Sequence, residues 1–282
     1  MAALPDGFVR SAALEIHLTP ERFAMSRPLN QHQLEIQRNR QVWESKPLLR
    51  AIYAGFYQRI TRLIDPAIPG RIVEVGSGIG NLKRHFPGAI STDAFFNPWL
   101  DAVCDAYEMP FGDHTVSHLI LFDVFHHLRA PRYFLKEARR VLSSGGRLIL
   151  FEPFISWLSY AVYGLFHSEP VAWRAEIDLS ASSARARGYY AAQGNATRLF
   201  FRHESDAILE GWTVVRAEAF ASVSYLLSGG FSKPCFYPAR WLPLLQRLDV
   251  WLSRWPGLCG ARCLVGITPA QALGHGRAAP WS

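Results

Sequence analysis

Residues Arg71-Ile-Val-Glu-Val-Gly-Ser-Gly-Ile-Gly80 constrain this chain more than any other stretch. A β-branched apolar run, as in a buried parallel strand, ends in an acid and then in three glycines at alternate positions. Such a strand hands over to a tight turn whose main-chain N–H groups meet a ligand. Glycine suits the turn because it tolerates unusual φ/ψ and because a Cβ would block close approach. The segment predicts an α/β fold with a doubly wound sheet and a site at the carboxyl end of its first strand.

The dinucleotide fingerprint is G-x-G-x-x-G. Here the glycines are Gly76, Gly78 and Gly80, with Glu74 two residues before the first. This E-x-G-x-G-x-G pattern resembles motif I of the class I S-adenosylmethionine-dependent methyltransferases. Three further segments follow in the family's order. Ala89-Ile-Ser-Thr-Asp93 is a short strand ending in a carboxylate, which in the family accepts the ribose hydroxyls. Val103-Cys-Asp-Ala-Tyr-Glu-Met-Pro-Phe111 is similar to the D-A-x-x-L-P-F segment, whose acid lies near the adenine amino group. Arg140-Val-Leu-Ser-Ser-Gly-Gly-Arg-Leu-Ile-Leu-Phe-Glu152 is similar to R-V-L-K-P-G-G and the fifth strand, with Ser144 in place of the proline. Between them, Ser117 to Leu128 reads as a fourth strand and an H-H-L turn.

The resemblance implies a Rossmann-like sheet of seven strands, the last antiparallel, with helices on both faces. It implies S-adenosyl-L-methionine as cofactor, held by Glu74, Gly76, Ser77, Gly78, Gly80, Asp93, Ala94, Asp105, Ala106 and Phe122. The branch it resembles also contains the ubiquinone and menaquinone biosynthesis methyltransferases. Asn39 to Tyr53 and Tyr225 to Phe231 look like bacterial members that act on saccharides or lipid-linked intermediates.

The cofactor carries its own activation, so the protein supplies orientation and, for some acceptors, a base. His126 and His127, at the exit of the fourth strand, are the catalytic candidates, His126 first. The competing reading has one histidine merely bonding backbone to shape the turn. Asp123, His126 and His127 are competent metal ligands, but three ligands from one short turn seldom converge, so no metal is expected. Glu152 and His167 are candidates for acceptor contact. O-methylation of a small-molecule, saccharide or lipid-linked acceptor is the leading expectation. The alternatives are C- or N-methylation of a lipid or quinone-type acceptor at a membrane surface, or a non-catalytic cofactor-binding subunit. No N/D-P-P-Y motif follows the fourth strand, so a nucleic-acid substrate is not expected.

With 282 residues and 49% hydrophobic content, one methyltransferase domain is expected over 28–282. Its parts are lid helices (28–66), a cofactor core (70–153), an acceptor-pocket insertion (154–205) and a C-terminal part (206–270). Residues 1–27 lack periodicity and are expected to be partly mobile. The formal charge of +7 comes without a dense basic run, which fits an ordinary solvated surface. Cys104, Cys235, Cys259 and Cys263 have neither disulfide nor zinc spacing, and with no secretory signal they suggest a reducing cytoplasm. No apolar run is long enough to cross a bilayer. Pro47 to Ile64 reads as an amphipathic helix, which the resemblance implies is a lid over the cofactor site; its Tyr53 and Tyr57 either face the ligand or, the favoured reading, pack in the core. In Trp241 to Trp255, Trp241, Leu244, Leu245, Leu248, Leu252 and Trp255 share one face. Docking on the sheet or on a second subunit is favoured there over a membrane surface, because only two arginines stand on the polar side.

Overall fold

The computed structural model describes residues 28–166, 169–177 and 190–270. The predicted mobility of 1–27 and the candidate His167 fall outside them. The seven strands are β1 (Arg71–Val75), β2 (Ile90–Asp93), β3 (Ala102–Val103), β4 (Val116–Phe122), β5 (Leu142–Pro153), β6 (Trp212–Ala221) and β7 (Gly260–Pro269). They form one sheet in the order β3-β2-β1-β4-β5-β7-β6. The strands from β3 to β5 pair in parallel, and β7 lies antiparallel between β5 and β6. This is the Rossmann-like arrangement expected.

Both faces of the sheet are covered, which is why its central strands read as nearly unbroken apolar runs. Leu119 and Leu121 of β4, with Leu148 and Leu150 of β5, point into a core closed by α3 (Pro131–Val141) through Phe134, Leu135 and Ala138. Their strand neighbours Ile120, Ile149 and Phe151 point the other way. There they meet α2 (Pro47–Thr61), which presents Leu49, Ile52, Tyr53, Phe56 and Ile60 at helical spacing. The helix α1 (Pro28–Ser45) precedes it and adds Trp43 to the same core.

Three local expectations change. After the glycines, where the family pattern leads one to expect a helix over 81–86, the chain makes only a four-residue 3₁₀ turn, Asn81–Arg84. Pro87 disfavours helical backbone at the residue before it, so the segment closes early. The fifth strand begins at Leu142 rather than Arg147, because Leu142 already pairs with Val116 before a register shift. The third change is the helix α7 (Leu242–Leu252), the core of the Trp-rich segment. It is anchored through its polar side. Asp249 accepts the amide of Val223 (2.5 Å) at the start of α6 (Val223–Leu227), and the Ser253 hydroxyl accepts the amide of Ala221 (3.0 Å). Leu242, Leu245 and Leu252 are half-buried, while Trp241, Leu244, Leu248, Trp251 and Trp255 remain exposed. The sheet therefore covers little of the apolar face.

Candidate functional site

The carboxyl ends of β1, β2, β4 and β5 meet at one edge, where open α/β sheets bind ligands. From β1 the chain enters the glycine turn, with φ of +74° at Gly76 and +53° at Gly78. A Cβ on Gly76 would run into the branched side chain of Val124, so that position is fixed by packing. A Cβ on Gly78 would meet only Ile36 of α1, at 3.8 Å, and would otherwise fill the open cradle.

Hydrogen bonds hold the turn in place. The Ser77 amide donates to the Thr92 carbonyl (2.8 Å), and the Thr92 amide donates back to the Ser77 hydroxyl (3.0 Å). Asp93, buried at the tip of β2, accepts the Gly78 amide (3.0 Å), and the Asn97 side-chain amide donates to the Gly78 carbonyl (3.0 Å). Asp105 is exposed and accepts the amide of Tyr107 (2.9 Å) in a local turn; Ala94 is exposed and Ala106 half-buried beside these acids. Asn97 was not anticipated, since nothing marks it in an otherwise irregular stretch.

Glu74 is buried under the turn, and its Oε2 has no hydrogen-bond partner among the described residues. Burial lifts its carboxyl to about 8, further than the nearby Ser77 hydroxyl offsets. A buried acid with an open acceptor suits a cationic ligand group. Phe122, at the end of β4, is stacked between Phe151 (4.6 Å) and Tyr53 (5.2 Å). Tyr53 and Tyr57 are both buried, Tyr57 against His85 (4.6 Å), so packing accounts for each.

A second group of residues stands at the exits of β4 and β5. Glu152, fully buried, accepts the amides of Val124 (2.8 Å) and Phe125 (2.7 Å) and bonds His126 Nδ1 (2.6 Å). It shapes the 3₁₀ turn Phe125–His127 that carries both histidines. On the far side stands Glu169, with Oε2 3.4 Å from His126 Nε2 and Oε1 3.7 Å from His127 Nε2. His127 Nδ1 faces the Tyr190 carbonyl at 2.9 Å. Burial opposes charge on His126, but Glu152 and Glu169 outweigh it and lift the ring to about 10. His127, half-buried, moves the other way through burial and the charge of His126. Burial works against Glu169, yet the two histidines hold it well below the carboxylate range.

Asp123 pairs with the buried Arg262 of β7 and lies within 4.8 Å of His126 and Glu152, whereas His127 groups with His126 and Glu169, so the Asp123–His126–His127 trio does not share a centre. Glu169 and Arg262 complete this end of the site without having been anticipated. Arg262 carried a signal, as the one charge in the apolar strand Gly260–Pro269. Glu169 carried little, lying in an irregular insertion forty-odd residues downstream.

Comparison with known proteins joins this geometry to chemistry. Residues 73–150 match the methyltransferase domain family. This segment of the chain is a methyltransferase domain, and the sheet that carries it has the class I S-adenosylmethionine-dependent fold. A search of curated proteins gives no match. Among solved structures, a methyltransferase in complex with the Trm112 activator of Haloferax volcanii aligns with 88% of this chain and 99% of its own, at 16% identity and a TM-score of 0.49. Geranyl diphosphate C-methyltransferase of Streptomyces coelicolor aligns with 77% of this chain and 81% of its own, at 12% identity and 0.42. Phosphoethanolamine N-methyltransferase 2 of Haemonchus contortus aligns with 75% and 51%, at 13% and 0.43. At such identities the methyltransferase carries no acceptor assignment over from them.

Because Glu74 titrates near 8 when folded and near 4.5 otherwise, the folded state binds the extra proton between those values. Its contribution to stability is full below about 4.5 and is lost as pH rises through about 8. Melting curves should show Glu74→Gln losing less stability than the parent between pH 5 and 8.

Proposed function

We propose that this methyltransferase transfers its methyl group to an oxygen of a small-molecule, saccharide or lipid-linked acceptor. The single observation that carries this reading is the His126–His127–Glu169 cluster at the exit of β4, beside the cofactor cradle. Methylation at oxygen requires loss of a hydroxyl proton, and this cluster combines proton acceptors of different basicity. The carbon and nitrogen alternatives give it less to do.

The cofactor supplies a methyl group made electrophilic by a sulfonium. The chain's residues do the remainder. Glu74 offers its open Oε2 as an acceptor, and the backbone of the glycine turn shapes the cradle. Asp93 and Asp105 lie along it as acceptors for ribose and base, with Ala94, Ala106 and Phe122 as apolar walls. His126, buried and bonded to Glu152, orients its neighbour. His127, partly open and with Nδ1 engaged by a carbonyl, presents Nε2 to receive the hydroxyl proton. The oxygen lone pair forms the new O–CH₃ bond, and the pair of the broken C–S bond remains on sulfur.

The exposed helices favour a lipid-linked form of this acceptor. α4 (Trp157–Phe166) leads out of β5 and exposes Trp157, Tyr160 and Leu165. It packs against α8 (Pro256–Cys259), which continues from α7, so these apolar side chains join Trp251, Trp255 and Leu258 near the site's edge. Exposed Arg240, Arg247 and Arg254 accompany them, a combination suited to an anionic lipid surface. Among the described residues no helix is long and apolar enough to cross a membrane.

With extract from a strain lacking the gene as acceptor source, the parent enzyme should release S-adenosylhomocysteine. His127→Ala should slow release about 100-fold or more while binding the product as tightly, consistent with loss of a general base. Equal rates would remove His127 from the chemistry. In sedimentation with anionic vesicles, the parent should pellet and a Trp251→Ala/Trp255→Ala variant should do so less. Indifference of the parent to vesicles would remove the lipid-surface reading.

A further inference from the structure

The chain brings together His126, His127 and Glu169 from two segments, and each is held by a second partner. His126 Nδ1 is fixed by Glu152 (2.6 Å) and His127 Nδ1 by the Tyr190 carbonyl (2.9 Å). The Glu169 carboxylate accepts from the Gln193 side-chain amide (3.3 Å). A carbonyl oxygen only accepts, so in the neutral ring His127 carries its proton on Nδ1 and aims the Nε2 lone pair at Glu169. Glu152 holds His126 Nδ1, so that its Nε2 faces Glu169 as well. Two imidazole nitrogens and a carboxylate then converge on one point, an arrangement that either protons or a metal cation can bridge.

The separations indicate which kind. A charge-assisted N–H···O bond closes to about 2.8 Å, whereas His126 Nε2 and His127 Nε2 stand 3.4 and 3.7 Å from the Glu169 oxygens. Ligand atoms about 2.1 Å from a tetrahedral zinc lie about 3.4 Å from one another. The three groups each place a ligand atom within 4.8 Å of the others. A ring Nδ1 bonded to a carboxylate or a carbonyl is also the usual support for a histidine that ligates through Nε2.

We propose that His126 Nε2, His127 Nε2 and Glu169 form a binding site for a first-row divalent cation of zinc type, with a further position open towards the acceptor. Two imidazoles and one carboxylate match the preference of such ions and leave room for an oxygen ligand. The proposal deepens the acceptor reading above and rests on it for its role. A hydroxyl held at the open position would lose its proton to water more easily, and both Nε2 atoms would then act as ligands rather than as proton acceptors.

The test uses the full chain, without a histidine tag and stripped with chelator, titrated calorimetrically with zinc. One equivalent should bind, and Glu169→Gln should weaken it at least tenfold with an unchanged melting temperature. Glu152→Gln, which keeps an oxygen acceptor for the turn amides but removes the charge behind His126, should weaken it 10–100-fold. Cobalt added to the parent should give the visible absorption of a four-coordinate site, lost in Glu169→Gln. Absence of stoichiometric binding, or affinity indifferent to Glu169→Gln, would overturn the proposal. If zinc fails to bind while His127→Ala still abolishes product release, the base reading stands and the metal site falls. If zinc binds but no product is ever released, the site stands and the acceptor reading falls.

Discussion

A carboxylate removed from water needs donors to replace its hydration, and the structure supplies Glu152 with them from a single turn. Amides of Val124 and Phe125 and the ring of His126 converge on it at 2.6–2.8 Å. Because Glu152 ends β5 and the turn leaves β4, this contact ties two adjacent strand tips together at the edge where the ligands meet. Leaving those amides unpaired in the interior would cost about 1–3 kcal/mol each. The direction in which both histidines point, and hence their meeting with Glu169, follows from that one side chain.

The cradle depends on a parallel device one strand pair away. Asp93 accepts the Gly78 amide, while Ser77 and Thr92 exchange bonds across the same gap, so the tip of β2 holds the turn that leaves β1. The glycines allow the backbone this path, and the absence of a side chain at Gly78 leaves the cradle open. Charge is unevenly spread across the edge. An acid raised by burial lies under the turn, and a histidine pair between two carboxylates stands opposite. The proposed transfer to oxygen would use the two environments separately, one for the cationic methyl donor and one for the hydroxyl proton.

Much of this was legible in the sequence, for physical reasons that differ from place to place. The strand-to-turn passage at Val75–Gly80 is local: apolar run, acid and alternating glycines are set by neighbours in the chain. The strands of the core, buried on both faces, announced themselves as apolar runs. The helix at Pro47 did so by its period. What escaped notice depends on distant partners. Asp123 stands beside the histidines in sequence, yet its charge pairs with Arg262, 139 residues away in β7. Glu169 replaces it from an insertion without periodicity. The Trp-rich helix has the pattern of a docked amphipath, but Asp249 and Ser253 anchor its polar side and leave the aromatic side outward. Pattern gives a helix its faces; the anchoring contacts decide which face turns inward.

The proposed chemistry turns on whether the glycine turn and Glu74 at the mouth of β1 hold the sulfonium nucleoside. Calorimetric titration of the purified chain with S-adenosylhomocysteine tests it most directly. One saturable site is expected in the parent, with at least a tenfold loss of affinity in Gly78→Val, whose side chain would occupy the cradle, and with the fold retained by circular dichroism. No saturable heat in the parent, or the same affinity in the folded Gly78→Val variant, would contradict it.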